Sequence, residues 1–164
     1  MSDDAAPAPR ALVVTVSTRA ATGVYADTAG PVLVEGLAAL GFAVGEPVVV
    51  PDGDPVGGAI RDAVAAGYDV VLTTGGTGLT PRDLTPEQTG PLLDRALPGV
   101  PEALRAAGAA EGVAASMLSR GLAGLAGSTL VVNLPGSPRA CRQAMQVLGP
   151  VLRHAVDQVH GGDH

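Results

Sequence analysis

The sequence predicts an α/β domain, and three observations predict it. Short apolar runs alternate with amphipathic stretches along the chain. Clusters of Gly, Pro, Asp and Ser punctuate them. With 46% apolar and 16% charged residues, a chain of 164 residues can bury one real core but is short for two. A tail over residues 1–9 and one domain over 10–160 are expected, with no internal repeat and no linker.

Taken in order, Ala11–Val16 (ALVVTV) has the composition of a buried strand, and a Gly-containing loop follows it. Asp27–Leu40 reads as a helix stopped by Gly41, and Val44–Val50 as a second strand ending in Pro51-Asp52-Gly53. Asp54 as cap, Pro55 at the first position and Gly67 past the end bracket another helix. Val70–Thr74 is a third strand running straight into Gly75-Gly76-Thr77-Gly78. Thr85-Pro86-Glu87-Gln88 announces a helix through a capping box, and Pro98–Gly108 holds a short one. Ser119–Leu125 and Ser128–Leu134 read as a hairpin turned around Ala126-Gly127. The final helix, Pro138 to Val159, repeats apolar residues at Ala144, Val147, Leu148, Val151, Leu152 and Ala155, the pattern of a face packed on a sheet.

Composition also excludes. The net charge is −6 and the aromatic residues are Tyr25, Phe42 and Tyr68, with no Trp. There is neither the basic stripe nor the stacking platform of a nucleic-acid binder. The apolar runs fall short of the roughly 18 residues of a membrane span, and Met1–Arg10 lacks the apolar region of a signal peptide. The single cysteine, Cys141, rules out an internal disulfide and a multi-thiolate metal site. His160 and His164 lie in a Gly-rich tail and make poor metal ligands. These features together lead us to expect a cytoplasmic protein.

Three loops follow apolar strands, where open α/β sheets bind ligands. In Thr74-Gly75-Gly76-Thr77-Gly78, backbone N–H groups can converge on a phosphate, with hydroxyls from Thr74 and Thr77; the same run also makes a plain tight turn. It is neither a Walker A loop nor a dinucleotide fingerprint. Asp52 and Asp83, with no His or Cys cluster, suit a hard cation such as Mg²⁺ that also holds substrate phosphates; each also serves as a turn or helix-entry residue. Asn133-Leu134-Pro135-Gly136-Ser137-Pro138 places Gly136 and Ser137 at a helix start, which favours an anion, and Ser137 is equally an ordinary N-cap. Ser119 and Arg120 offer a hydroxyl and a fork donor to phosphate or pterin, although an Arg there is more often a solvated surface group.

These residues also spell a family pattern. Thr73-Thr74-Gly75-Gly76-Thr77-Gly78 with Pro81-Arg82-Asp83-Leu84-Thr85-Pro86-Glu87 resembles the signature of the MogA/MoaB family and the gephyrin G domain. Met117-Leu118-Ser119-Arg120, the stretch Gly127 to Pro138, Val16-Ser17-Thr18-Arg19 and Gly23-Val24-Tyr25-Ala26-Asp27-Thr28 fit the same family, so the likeness covers about residues 10 to 158. The resemblance implies a three-layer α/β/α fold with a mostly parallel, mixed central sheet, assembled as a homotrimer. It implies adenylylation of molybdopterin by Mg-ATP, with pyrophosphate as co-product and a downstream molybdenum-inserting protein as further partner. On this chain it makes Asp52 and Asp83 the functional aspartates and Mg²⁺ ligands. Gly75, Gly76, Thr77 and Gly78 become the phosphate loop, Asn133 to Pro138 line the nucleotide site, and Ser119 and Arg120 lie on the pterin side. Two rival functions stand beside it: a non-catalytic molybdopterin carrier, and a nucleotide pyrophosphatase on a fold like that of competence-damage-type proteins. The chain departs at Thr18, where many relatives carry Asp or Asn after the serine, and the resemblance assigns position 18 no role.

Overall fold

The computed structural model describes residues 5–163; His164 and the first four residues of the expected tail lie outside the described residues. Seven strands form one mixed sheet: β1 (Arg10–Val16), β2 (Ala43–Val44), β3 (Val48–Val50), β4 (Val70–Thr74), β5 (Arg95–Ala96), β6 (Ala123–Ala126) and β7 (Thr129–Leu134). The order is β2-β1-β4-β7-β6-β5, with β3 also on β1. Pairings are parallel from β2 and β3 through β7, and antiparallel for β7–β6 and β6–β5. The helices are α1 (Thr18–Ala21), α2 (Gly30–Ala39), α3 (Asp54–Ala65), α4 (Thr85–Thr89), α5 (Gly99–Ala110) and α6 (Pro138–Val159).

Alternation along the strands decides the layers. Ala11, Val13, Val70, Leu72, Leu130 and Val132 face a core with Leu33 and Leu37 of α2 and with Leu148 and Leu152 of α6, against which Leu104 of α5 packs. Val14, Val71 and Val131 point the other way, onto Val56, Ile60 and Ala63 of α3. The chain leaves β1 through α2 to β3, then returns through α3 to β4 on the far side of β1. Crossovers of one hand in opposite directions place their helices on opposite faces. The direction reverses between β1 and β4, so the carboxyl ends of those strands form a switch-point crevice.

Several expected boundaries moved for identifiable reasons. The single strand expected over Val44–Val50 is broken at Gly45-Glu46-Pro47. Between β2 and β3 the edge chain carries one residue more than β1 does, and Pro47 has no N–H for the ladder. The helix expected from Asp27 starts at Gly30. Asp27 instead stays outside, its Oδ1 accepting from Gly30 N–H at 2.9 Å and its Oδ2 from Thr15 Oγ1 at 2.8 Å. Asp54 and Thr85, expected as caps, are the first residues of α3 and α4, and neither helix has a side-chain cap bond. Gln88 completes no capping box; its Nε2 donates to Asp54 Oδ1 at 3.2 Å. The hairpin is shorter than expected and turns on Gly127-Ser128, with Gly127 supplying the positive φ of 59°. The one-turn α1 and the two-residue β5 were not foreseen in the sequence.

Helix α6 runs over the predicted span, and its buried stripe is Cys141, Ala144, Leu148, Leu152 and Val156. Val151, expected on that face, is 47% exposed. Among the described residues no helix is long and apolar enough to cross a membrane. Leu148→Ala, in the stripe, is expected to lower unfolding free energy by about 2–5 kcal/mol, and Val151→Ala by under about 1 kcal/mol. Urea denaturation with an unchanged m-value checks both; equal losses would show the stripe to be wrongly drawn.

Candidate active site

The carboxyl ends of β3, β4 and β7 carry the three loops singled out in the sequence. Gly75 continues β4, and its N–H donates to Leu134 carbonyl of β7 at 2.9 Å. It takes φ 103°, and a Cβ there would lie 2.3 Å from Val16 carbonyl oxygen. Gly76 follows at φ 69°, with Thr85 Oγ1 2.2 Å from where its Cβ would stand. Only glycine fits either position. Thr85 closes the turn from below: its N–H donates to Gly76 carbonyl at 3.1 Å and its Oγ1 to Gly75 carbonyl at 2.9 Å. Among the described residues, the N–H groups of Gly76, Thr77 and Gly78 have no protein acceptor. Three successive unsatisfied donors on a rigid turn make a nest for an anion.

Arg120 locks this loop. Its backbone N–H donates to Thr77 carbonyl at 2.9 Å, its Nε to Gly78 carbonyl at 2.9 Å and one Nη to Asp83 carbonyl at 2.7 Å. The guanidinium also forms an ion pair with Glu87 of α4, and that pairing holds the Glu87 carboxyl below the ordinary glutamate range. Most of the Arg120 donors therefore go to the protein. Asp83 itself turns back on the loop, its Oδ2 accepting from Thr80 N–H at 3.0 Å, and a side chain at Gly78 would crowd it.

Asp52 stands just past the exit of β3, half-buried, with its Oδ2 accepting from Thr18 Oγ1 at 2.8 Å. Asp52 follows β3 and Asp83 follows β4, both past the carboxyl ends of parallel strands. Among the described residues no group of three or more acidic, His or Cys side chains gathers for a metal. Hard oxygen donors in so small a number fit Mg²⁺, which keeps waters and substrate phosphates in its shell.

The third loop is the least exposed in its first half. Asn133 is 2% exposed, and its amide donates to Thr73 and Thr89 hydroxyls at 3.0 Å each while accepting from Leu122 N–H. It ties Thr89 of α4 and Leu122, just before β6, to the sheet. Thr74 Oγ1 donates to Pro135 carbonyl at 2.7 Å and touches Cys141 Sγ, so it ties β4 to the third loop. Burial raises the Cys141 thiol above its usual pKa, which keeps it protonated and inert. Ser137 Oγ caps α6 by accepting from Ala140 N–H at 3.1 Å, and Gly136 packs on Gly75. A groove of about 440 Å³ opens over Thr77, Gly78, Ser119, Pro135 and Ser137, with Leu79 and Leu118 on its rim. That volume is in the range of small-molecule sites, about 300–1,000 Å³. A narrower pocket of about 40 Å³ lies between Asn133, Pro135, Ser119 and Arg105.

Sequence reasoning missed three contributors: Thr18 on Asp52, Glu87 on Arg120, and Thr85 beneath the glycines. Glu87 and Thr85 lay inside a recognised motif but read as helix-start signals.

Comparison with known proteins gives this geometry its class. The model of a family described as a probable molybdopterin binding domain matches residues 12–154, and the chain belongs to that family. A bifunctional molybdenum cofactor biosynthesis protein of Chlorobaculum tepidum is 38% identical over 158 residues, covering 95% of this chain and 50% of the relative. The chain thus spans about half the length of the bifunctional relatives it matches. A molybdopterin adenylyltransferase of Pyrococcus furiosus is 37% identical, covering 87% of this chain and 89% of that protein. A solved molybdopterin biosynthesis Mog protein from Mycobacterium ulcerans is 50% identical with a TM-score of 0.88, covering 93% and 99%. A CinA protein from Thermoplasma acidophilum, at 23% identity and TM-score 0.67, shares the fold.

The Glu87–Arg120 pair yields a pH prediction. Because the Glu87 pKa is depressed, the clasp persists below the ordinary glutamate pKa of about 4.3 and is lost as pH falls through the lowered value. NMR titration of the Glu87 carboxyl carbon is expected to show a midpoint below the ordinary value in the native protein and a return to it in Arg120→Gln. An unchanged midpoint between the two would remove the clasp.

Proposed function

We propose that this protein transfers an adenylyl group from ATP to the phosphate of molybdopterin, within molybdenum cofactor biosynthesis. The observation that carries the reading is the glycine nest, with three N–H groups free of protein acceptors at the switch point. The names of its full-length relatives support the same chemistry. Cytoplasmic placement, a homotrimer and delivery to a downstream molybdenum-inserting protein belong to the same reading.

The residues fit an in-line displacement. A phosphate oxygen of molybdopterin attacks the α-phosphorus of ATP, the bond to the β-phosphate oxygen breaks, and pyrophosphate leaves with the electron pair. The nucleophile is already ionised at neutral pH, so no general base is required. The work that remains is alignment and charge stabilisation. The N–H groups of Gly76, Thr77 and Gly78 would hold phosphate oxygens, and Thr85 and Arg120 keep those donors from moving. Asp52 and Asp83 would hold Mg²⁺, which supplies neutralisation of phosphate charge when bound. Ser119 and Ser137 line one groove, in which Ser119 would face the pterin and Ser137 the nucleotide.

Pyrophosphate release and adenylyl-molybdopterin formation from molybdopterin and Mg-ATP test this directly. Wild type is expected to turn over, and Asp83→Asn to lose at least about a hundredfold in kcat. Full turnover by Asp83→Asn would remove that aspartate's metal role. Tight pterin binding with no adenylyl product would replace the transferase with a carrier, and release of AMP from ADP-ribose without pterin would favour a pyrophosphatase.

A further inference from the structure

Thr18 bridges two strand exits. Ser17 N–H donates to Val50 carbonyl at 2.9 Å, drawing the end of β1 to the end of β3. The Ser17 hydroxyl accepts from Ala20 N–H at 3.1 Å and caps the single turn of α1, which begins at Thr18. Thr18 is thereby delivered to a residue 34 positions away. Its Oγ1 donates to Asp52 Oδ2 at 2.8 Å and accepts from Asp52 backbone N–H at 3.2 Å. A hydroxyl has one proton to give, and here the carboxylate receives it. The backbone bond in return fixes the direction in which that proton points. Asp52 Oδ1 has no protein donor among the described residues.

We infer that Thr18 is a positioning residue for the divalent cation, holding the Asp52 carboxylate through Oδ2 so that Oδ1 is the oxygen offered to the ion. The inference rests on the role given to Asp52 under the proposed function. Ligating carboxylates are themselves hydrogen-bonded in metal sites, and losing such a partner costs about 10–100-fold in affinity. Without Thr18 the carboxylate rotates freely at the half-buried edge of the crevice, and the ion must order it on binding. With Thr18 the ordering is already done. The effect belongs at the lower end of that range because Thr18 is exposed and water competes for its hydroxyl.

The test uses the full chain with Mn²⁺ as the probe, its binding in the presence of ATP followed by electron paramagnetic resonance. Thr18→Val keeps the shape and removes the O–H; Thr18→Ser keeps the O–H. Thr18→Val is expected to weaken Mn²⁺ binding about tenfold, and Thr18→Ser to stay within about twofold of wild type. Asp52→Asn should lose at least as much as Thr18→Val, and adding Thr18→Val to Asp52→Asn should lose nothing more. Thr18→Ala replaces Thr18→Val if the latter does not fold. Wild-type binding by Thr18→Val beside loss in Asp52→Asn would overturn the inference and leave the Asp52 assignment standing. Equal losses in the Val and Ser variants would also overturn it. Wild-type binding by Asp52→Asn would take away the metal role of Asp52, and the inference with it.

Discussion

Gly75 sits where the ends of β1, β4 and β7 converge, and the rest of the site depends on that approach. A Cβ at Gly75 would meet Val16 carbonyl oxygen at 2.3 Å, and one at Gly136 would stand 3.3 Å from Gly75 Cα. The strands can come this close only because neither residue has a side chain. The same contact forces the chain after β4 into two consecutive left-handed residues, at φ 103° and 69°. The N–H groups of Gly76, Thr77 and Gly78 then join no ladder among the described residues. Packing of the sheet and creation of an anion nest are therefore one event, and a substitution that loosens either loosens both.

A turn so built has little to hold it flat, and the holding comes from far along the chain. Arg120 contributes three bonds to carbonyls of the loop and its flank, and Glu87 anchors the guanidinium on α4. Both partners of that ion pair remain a third to a half exposed, so its Coulomb energy is modest. Its value is geometric: the planar fork satisfies carbonyls that diverge from one turn, which an ammonium on a flexible stem does poorly. Thr85 works from the opposite side, inside the core, where its hydroxyl and N–H grip the two glycines.

Much of this was legible in the sequence, and the remainder was illegible for a consistent reason. The α/β class, the extent of α6 and the loops at the crevice follow from periodicity and turn chemistry, which are local; the mostly parallel sheet was implied by the family resemblance. The errors concern polar side chains given local duties. Gln88 and Asp54 were read as caps and instead bond one another across 34 positions. Thr74, expected to offer its hydroxyl to a ligand, also bonds Pro135 across 61 positions. Arg120, expected on the pterin side, in addition reaches Gly78 across 42. A short polar side chain looks the same in sequence whether it caps its own helix or ties two loops together. Only the fold decides which partner arrives first. Pro47 is the complementary case: its missing N–H was visible in the sequence, but the strand it interrupts ran apolar on both sides.

The charge of the molecule gives the proposed chemistry its internal logic. A protein of net charge −6 does not attract a nucleotide triphosphate from a distance, and the fork donor nearest the nest is already engaged. In the proposed function, recognition of phosphate would fall to backbone dipoles, which act at contact range, are fixed by the fold and carry no net charge to be screened. Asp52 and Asp83 oppose the same anion. Side by side, a nest that accepts phosphate and two carboxylates that repel it would waste binding energy in an apo site. In the proposed function a divalent cation carried on the nucleotide would turn the repulsion into attraction, and the carboxylates would favour the metal-bound triphosphate over the bare one. On this reading the acidic edge acts as a filter on the form of nucleotide admitted, and the glycine nest fixes where its phosphates come to rest.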